Sequence, residues 1–248
     1  MLRGKTAIIT GTSRGIGLAT VEVFAQNGAV IWACARLQSN EFEKKLEEIA
    51  EKNAVDIKPV YFDVTDEEAL REAIRLIEKE AKTIDILVNN AGISVECIFA
   101  MTSMKMMRKT LDVNFLAQLN LTQFVSRHMM KNKRGCIVNI ASASGLDCQE
   151  GGMAYGSSKA AVIFASRTLA LELGKYGIRV NAVSPGFIDT DMWENRKEDI
   201  KKKILSETPL HRQGTTREVA QTILFLASDM SSFITGQNIV VDGGRIMG

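Results

Sequence analysis

The sequence predicts an α/β fold: a doubly wound parallel sheet of about seven strands, with helices on both faces. Two observations carry that prediction. Short apolar runs alternate with amphipathic helical patterns along the 248 residues, and such alternation argues for parallel strands joined by helical crossovers. The first run also ends in a glycine-rich turn that opens a helix, the arrangement with which a doubly wound sheet begins. No repeat, linker or low-complexity stretch interrupts the pattern, and the prolines, Pro59, Pro185 and Pro209, are scattered. One domain over residues 1–248 is expected.

The elements follow in order. Residues 5–10 form the first apolar run, which leads into Gly11-Thr12-Ser13-Arg14-Gly15-Ile16-Gly17. A helix over 18–27 is stopped by Gly28, and 30–35 is the second strand. This unit is Rossmann-like: its glycines let backbone N–H groups approach a pyrophosphate at a helix N-terminus, where the dipole favours anions. The spacing is G-x-x-x-G-x-G rather than the commoner G-x-G-x-x-G. Next come a charged surface helix at 42–52 and a strand at 57–62 ending at Asp63-Val64. A helix at 67–82 takes Thr65 or Asp66 as its cap. The strand at 84–88 runs into Asn89-Asn90-Ala91-Gly92, and a long helix spans 104–130 with Asn114 at its middle. A strand at 136–141, a helix at 154–176 ended by Gly177, and a strand at 179–184 follow. Beyond Pro185-Gly186 lie helices at 194–207 and 218–228, then a last strand at 238–241 before Asp242-Gly243-Gly244. The expected strand order is 3-2-1-4-5-6-7, with a ligand crevice at the carboxyl ends of strands 1 and 4.

Composition excludes several classes. Hydrophobic residues make up 46% and charged residues 24%, the balance of an ordinary globular protein. A net charge of +2 gives no case for nucleic acid. No apolar run reaches the roughly 18 residues needed to span a bilayer, and residues 6–10 are too short for the core of an export signal. Cys34, Cys97, Cys136 and Cys148 show no C-x-x-C pairing, so reduced thiols in a cytoplasmic protein are expected. His128 and His211 are the two histidines. Neither has a ligand-like neighbour, and no metal is expected.

Tyr155 and Lys159 stand four residues apart, on one face of the expected helix. An ammonium about 4 Å from the phenol, at an effective dielectric of about 20, would stabilise the phenolate by up to about 4 kcal/mol. That is about three pKa units, enough to tune the tyrosine as an acid or base. Ser142 closes the strand at 136–141 and its hydroxyl can hold a substrate oxygen while Tyr155 delivers the proton. Taken by the spacing alone, a solvated pair on a helix surface is the simpler reading.

The whole set of motifs changes that balance. The turn Thr10-Gly11-Thr12-Ser13-Arg14-Gly15-Ile16-Gly17, the run Asn89-Asn90-Ala91-Gly92, the tetrad Asn114, Ser142, Tyr155 and Lys159, and Pro185-Gly186 all occur in order. In these the chain resembles the short-chain dehydrogenase/reductase family over essentially all its length. The resemblance implies an NAD(P)-dependent oxidoreductase. Tyr155 would protonate a carbonyl, Lys159 would lower its pKa and bind the nicotinamide ribose, Ser142 would hold the carbonyl oxygen, and Asn114 would hold a relay water. The cofactor would meet Gly11, Ser13, Arg14, Gly15, Ile16 and Gly17 at the turn, and Asp63 and Val64 around the adenine. Asn90, Ala91 and Gly92 would line its channel with Pro185 and Gly186, and Ile188 and Thr190 would contact the nicotinamide carboxamide and the phosphates. The second strand ends Ala33-Cys34-Ala35-Arg36 with no carboxylate, and Arg36 with Arg14 can meet a 2′-phosphate. NADP(H) is therefore the expected cofactor.

Within that family the phrases at 186–192, 225–229 and 234–237 are closest to those of β-ketoacyl-[acyl-carrier-protein] reductases. This resemblance implies reduction of a carrier-linked 3-oxoacyl group in fatty acid synthesis. The polar, acidic loop 146–150 departs from the pattern and leaves open a small polar ketone, polyol or sugar. A non-catalytic dinucleotide-binding sensor is the reading from a different class. Lys131, Lys133 and Arg134, with Arg196, Lys197, Lys201, Lys202 and Lys203 on the expected lid, can steer an acidic carrier protein. The same charges also suit a helix C-terminus and a soluble helix. A homotetramer is implied by the resemblance, with Phe115, Leu119, Phe124, Phe164, Leu169 and Leu173 as apolar residues available to its interfaces.

Overall fold

Seven parallel strands form the centre of the structure, a computed structural model that describes residues 1–191 and 198–247. Along the chain these are β1 (Thr6–Thr10), α1 (Gly15–Gln26), β2 (Val30–Ala35), α2 (Asn40–Asn53), β3 (Ile57–Tyr61) and α3 (Glu67–Glu80). Then come β4 (Ile86–Asn89), α4 (Met104–Leu111), α5 (Ala117–Asn132), β5 (Gly135–Ile140), α6 (Met153–Leu173) and β6 (Ile178–Pro185). The last elements are α7 (Glu198–Glu207), α8 (Thr216–Ala227) and β7 (Asn238–Val241). The strand order is β3-β2-β1-β4-β5-β6-β7, as the alternation predicted. It reverses direction between β1 and β4, which opens a crevice at their carboxyl ends.

Strand residues face alternate sides, and each side is dry. Ala7, Ile9, Ile31, Val88 and Val138 pack under α1, α2 and α8 through Val21, Phe24, Leu46, Val219 and Ile223. Ile8, Leu87, Ile137 and Val180 pack on the other side against Leu70, Ile74, Leu121 and Val125 from α3 and α5. Leu173 is buried in this second layer and is lost as an interface residue. Phe115 and Phe124 are half-buried against the core. Phe164 remains outside at 72% exposure.

Three of the departures from the expected elements have a local physical reason. Helix α1 begins three residues early, because the stretch Gly15-Ile16-Gly17 offers no apolar stripe to mark it. The long helix 104–130 is broken by a π turn over Asp112–Leu116, which sends the Ala117 N–H to the Asp112 carbonyl. The strand expected at 84–88 starts at Ile86, because Asp85 is committed elsewhere. Its buried carboxylate accepts from the Thr6 N–H at 2.9 Å and the Thr83 hydroxyl at 3.1 Å, and Arg134 pairs with it. Asp66 supplies the α3 cap, accepting from the Glu68 and Ala69 N–H groups. The segment expected as a helix from 194 is described from Glu198. Glu194, Arg196 and Lys197 lie outside the described residues, as does Met192.

Asp85 thus ties the start of β1 to the turn before β5. Replacing it with alanine strands the Thr6 N–H and releases Arg134, whose side chain is 60% exposed, to water. Asp85→Ala is expected to cost about 2 kcal/mol, read as a lower urea midpoint. A midpoint equal to that of the wild type would contradict this role.

Candidate active site

The crevice is built where β1 and β4 end. The Thr10 hydroxyl accepts from the Asn90 and Ala91 N–H groups, both at 3.0 Å. Asn90 Nδ2 donates back to the Thr10 and Gly11 carbonyls at 2.9 and 3.0 Å. Gly11 has φ +70, and a Cβ there would sit 2.9 Å from the Ala91 Cα. At Gly17 a Cβ would meet the Gly11 carbonyl oxygen at 2.1 Å. Gly17 is therefore a packing residue that lets α1 close on the turn. It was expected among the cofactor contacts, yet it does not line the cleft. Helix α1 has no side-chain cap, and Ser13, Arg14, Gly15 and Ile16 line the opening at its start. Bare N–H groups and the positive helix end suit a pyrophosphate.

One cleft of about 1520 Å³ runs from this turn to the substrate end. Arg36, Asp63 and Val64 line it beyond β2 and β3, and Asn90, Ala91, Gly92, Pro185, Gly186, Ile188 and Thr190 line its middle. Asp63 accepts from the Thr65 hydroxyl and N–H at 2.7 and 2.9 Å. These bonds, with Arg36 and Lys109 nearby, hold its carboxyl below the usual range. Arg14 pairs with Asp191 at 2.9 Å, both side chains more than half exposed. Sequence reading missed Lys105, Arg108 and Lys109 of α4, which also line the cleft. Their i, i+3, i+4 spacing on one helix face was the available signal.

Ser142, Tyr155 and Lys159 converge at the inner end. Ser142 follows β5, its hydroxyl accepting from the Ser144 N–H at 3.2 Å. That hydroxyl also bonds the Tyr155 phenol and draws its pKa down, but burial outweighs it and raises the phenol above its ordinary value. Here the structure corrects the expected pairing. Lys159 Nζ lies 5.8 Å from the centre of the Tyr155 ring and donates at 2.7 Å to the Ile140 carbonyl. Burial pushes Lys159 down to about 8. The lysine in this state is a desolvated ammonium beside the Tyr155 ring, held by a backbone carbonyl.

Asn114 is fully buried in the π turn. Its Oδ1 accepts from the Ile93 N–H at 2.8 Å, and its Nδ2 donates to the Ile93 carbonyl and the Ser158 hydroxyl at 2.9 and 3.0 Å. The side chain expected to hold a relay water is thus occupied in fixing the loop after β4 against α6, and it does not line the cleft.

The substrate end is lined by Ile93, Ser94, Ser144, Gln149, Phe187, Ile204 and Arg245. Gln149 Nε2 donates to the Ser144 hydroxyl at 3.3 Å. Of the loop expected to make this end acidic, Gln149 faces the cleft but Asp147 and Glu150 do not line it. Asp147 instead approaches Arg245 at 3.7 Å.

Comparison with known proteins places this cleft among dinucleotide-dependent enzymes. Residues 11–245 match the family described as Enoyl-(Acyl carrier protein) reductase. A 3-oxoacyl-[acyl-carrier-protein] reductase of Thermotoga maritima is 40% identical over 246 residues, covering 99% of each chain. A 7α-hydroxysteroid dehydrogenase solved with NADH and 7-oxo glycochenodeoxycholic acid superposes with a TM-score of 0.93. It is 33% identical and covers 98% of this chain and 94% of its own. A gluconate 5-dehydrogenase of Burkholderia cenocepacia solved with NADP and tartrate gives a TM-score of 0.91 at 31% identity, covering 98% and 96%.

The buried lysine makes a prediction about stability. Lys159→Met keeps the length and removes the charge. That relieves about 3 kcal/mol of desolvation and strands the Ile140 carbonyl at about 1 kcal/mol, so the variant is expected to be more stable at pH 7. The unfolded chain holds this proton up to 10.5 and the folded chain up to about 8. Between those values the unfolded state binds more protons, so wild-type stability gains with rising pH. The gap to the variant should narrow across that window. Equal urea midpoints at pH 7, or a gap that widens toward pH 10, would contradict it.

Proposed function

The chain belongs to the short-chain dehydrogenase/reductase family, and within it we propose an NADPH-dependent reductase of 3-oxoacyl groups carried on acyl carrier protein. The observation that carries the reading is the convergence of Ser142, Tyr155 and Lys159 in one cleft with the uncapped start of α1. The nicotinamide supplies the hydride when bound. Ser142 orients the carbonyl oxygen, and Tyr155 gives it a proton. A phenol raised by burial stays protonated across neutral pH, and the alkoxide it must protonate is far more basic. Lys159 is close enough to stabilise the phenolate that remains. Asn114 acts through the Ile93 loop and Ser158.

The 2′-phosphate reading rests on Arg36, which follows the Ala33-Cys34-Ala35 end of β2, a run that carries no carboxylate. Arg14 can join it by exchanging Asp191 for the phosphate, since that exposed pair is weakly held. Carrier docking would use Lys131 and Lys133, because Arg134 is taken by Asp85. On the lid, Lys201 pairs with Glu198 at 2.9 Å, which weakens its part in steering. We take residues 1–248 as one dinucleotide-binding domain. It would act in the cytoplasm as a homotetramer covering the exposed Phe164 and Leu171 of α6. Among the described residues no helix is long and apolar enough to cross a membrane.

Reduction of a small polar ketone or sugar is the second reading, favoured by the polar Ser144, Gln149 and Arg245 at the substrate end. A sensor has no use for a buried lysine that destabilises the fold.

Oxidation of NADPH with a 3-oxoacyl group, on carrier protein and as a free thioester, tests the proposal. A kcat/KM at least about tenfold above that with NADH is expected, from one charge-assisted contact to the 2′-phosphate. Lys131→Glu with Lys133→Glu should slow the carrier-bound substrate several-fold and spare the free thioester. Turnover of small polar ketones or sugars with none of either thioester would favour the second reading. A preference for NADH would overturn the cofactor assignment.

A further inference from the structure

Three cations on α4 meet the cleft with nothing to hold them. Lys105, Arg108 and Lys109 are all exposed and all line it, so a bound group can reach each of them. Their spacing puts them on one helix face. Among the described residues none of the three side chains makes a hydrogen bond or a salt bridge.

Basic residues often collect at a helix C-terminus, where the last carbonyls are negative and unpaired. That reason fails here, because the helix does not stop after Leu111. The Asp112 N–H donates to the Arg108 and Lys109 carbonyls. The π turn follows without a break, and the Ala117 N–H donates to the Asp112 carbonyl. The face carries charge that the helix itself does not need.

Its surroundings favour an anion. The Asp63 carboxyl is held low first by its bonds to Thr65, and also by Arg36 after β2 and by Lys109 on α4. Cations from two walls thus stand about one carboxylate, and one of its oxygens, Oδ1, already accepts twice from Thr65. With Lys105 and Arg108, four cations meet Asp63 and Asp112 in this part of the lining. The surplus suits a phosphate, whose oxygens take charge-assisted bonds from ammonium and guanidinium groups alike. The start of α1 already provides for the pyrophosphate, so the surplus is left for another phosphate.

We propose that Lys105, Arg108 and Lys109 form a phosphate-binding face on α4 for a second phosphate of the bound ligands. The chain places this face between the two ends of the cleft. The helix is entered from the loop after β4, whose Ile93, Ser94 and Glu96 line the substrate end, and Lys109 stands near Asp63 at the adenosine end. The phosphate accordingly has two sources: the 2′-phosphate of the adenosine, or the phosphate of a phosphopantetheine arm that carries the acyl group. The second source rests on the reductase reading, the first on dinucleotide binding alone.

Two ratios separate the sources, each measured on wild type and on a variant with Lys105→Gln, Arg108→Gln and Lys109→Gln. One is the Kd of NADH over that of NADPH, read by nicotinamide fluorescence without turnover. The other is kcat/KM for 3-oxobutanoyl phosphopantetheine over 3-oxobutanoyl pantetheine, thioesters that differ by the one phosphate. The variant should lower one ratio about tenfold or more, and the ratio that falls names the source. Exchanging the cations instead, with Lys105→Arg, Arg108→Lys and Lys109→Arg, should keep most of that ratio. Both ratios unchanged in the glutamine variant, with wild-type turnover intact, would leave a solvated helix face and overturn the inference alone. A wild type that turns over neither thioester would overturn the reductase reading, and the arm as a source with it. The Kd ratio would then decide by itself: a fall supports the face, and no change overturns it.

Discussion

The junction between β1 and β4 governs everything built on it. Four hydrogen bonds tie Thr10 and Gly11 to Asn90 and Ala91 across the two strand ends, and two glycines allow backbone to approach backbone where no side chain fits. The strand order reverses at this point while every strand stays parallel, so no helix covers the crevice. Helix α1 is aimed into it without a cap. Ala91 and Gly92 are carried past it, and the Ile93 loop is then pinned by Asn114. The glycine turn, the channel wall and the approach to Tyr155 are therefore one connected piece.

Burial is the second constraint, and at the inner end it prevails over charge. Lys159 gives up hydration for one backbone carbonyl, and its pKa falls to about 8. Tyr155, half-buried in the cleft, gives up part of its hydration and gains one serine hydroxyl, and its pKa rises. Each shift opposes the charged form, the signature of desolvation. The site stores an unfavourable arrangement that the folded core tolerates, as sites of chemistry commonly do. A bound substrate and cofactor would exclude the remaining water and strengthen each of these interactions.

Much of this was legible in the sequence. Alternation of apolar runs was sufficient for the strand order, because parallel strands with short crossovers leave few topologies. The residues of the cleft were legible through their place after strand ends. Their bonding was not. Asn114 breaks a helix through bonds to Ile93 and Ser158, partners that no local pattern reveals. Lys159 has the spacing to reach Tyr155, yet its amine goes to a strand carbonyl brought close by the tertiary fold. Asp147 read as pocket-lining until Arg245, far along the chain, turned it aside. Lys105, Arg108 and Lys109 were legible as a helix face, but nothing in the sequence said what that face looks onto.

The central claim is that burial, rather than the neighbouring ammonium, sets the acidity of Tyr155 in the free protein. The chain has three tyrosines, so ultraviolet titration of wild type minus Tyr155→Phe isolates this phenol. The account predicts ionisation above the ordinary tyrosine value of 10.0. A phenol that ionises well below that value without cofactor would mean that Lys159 governs it directly, and the description of the site would be wrong.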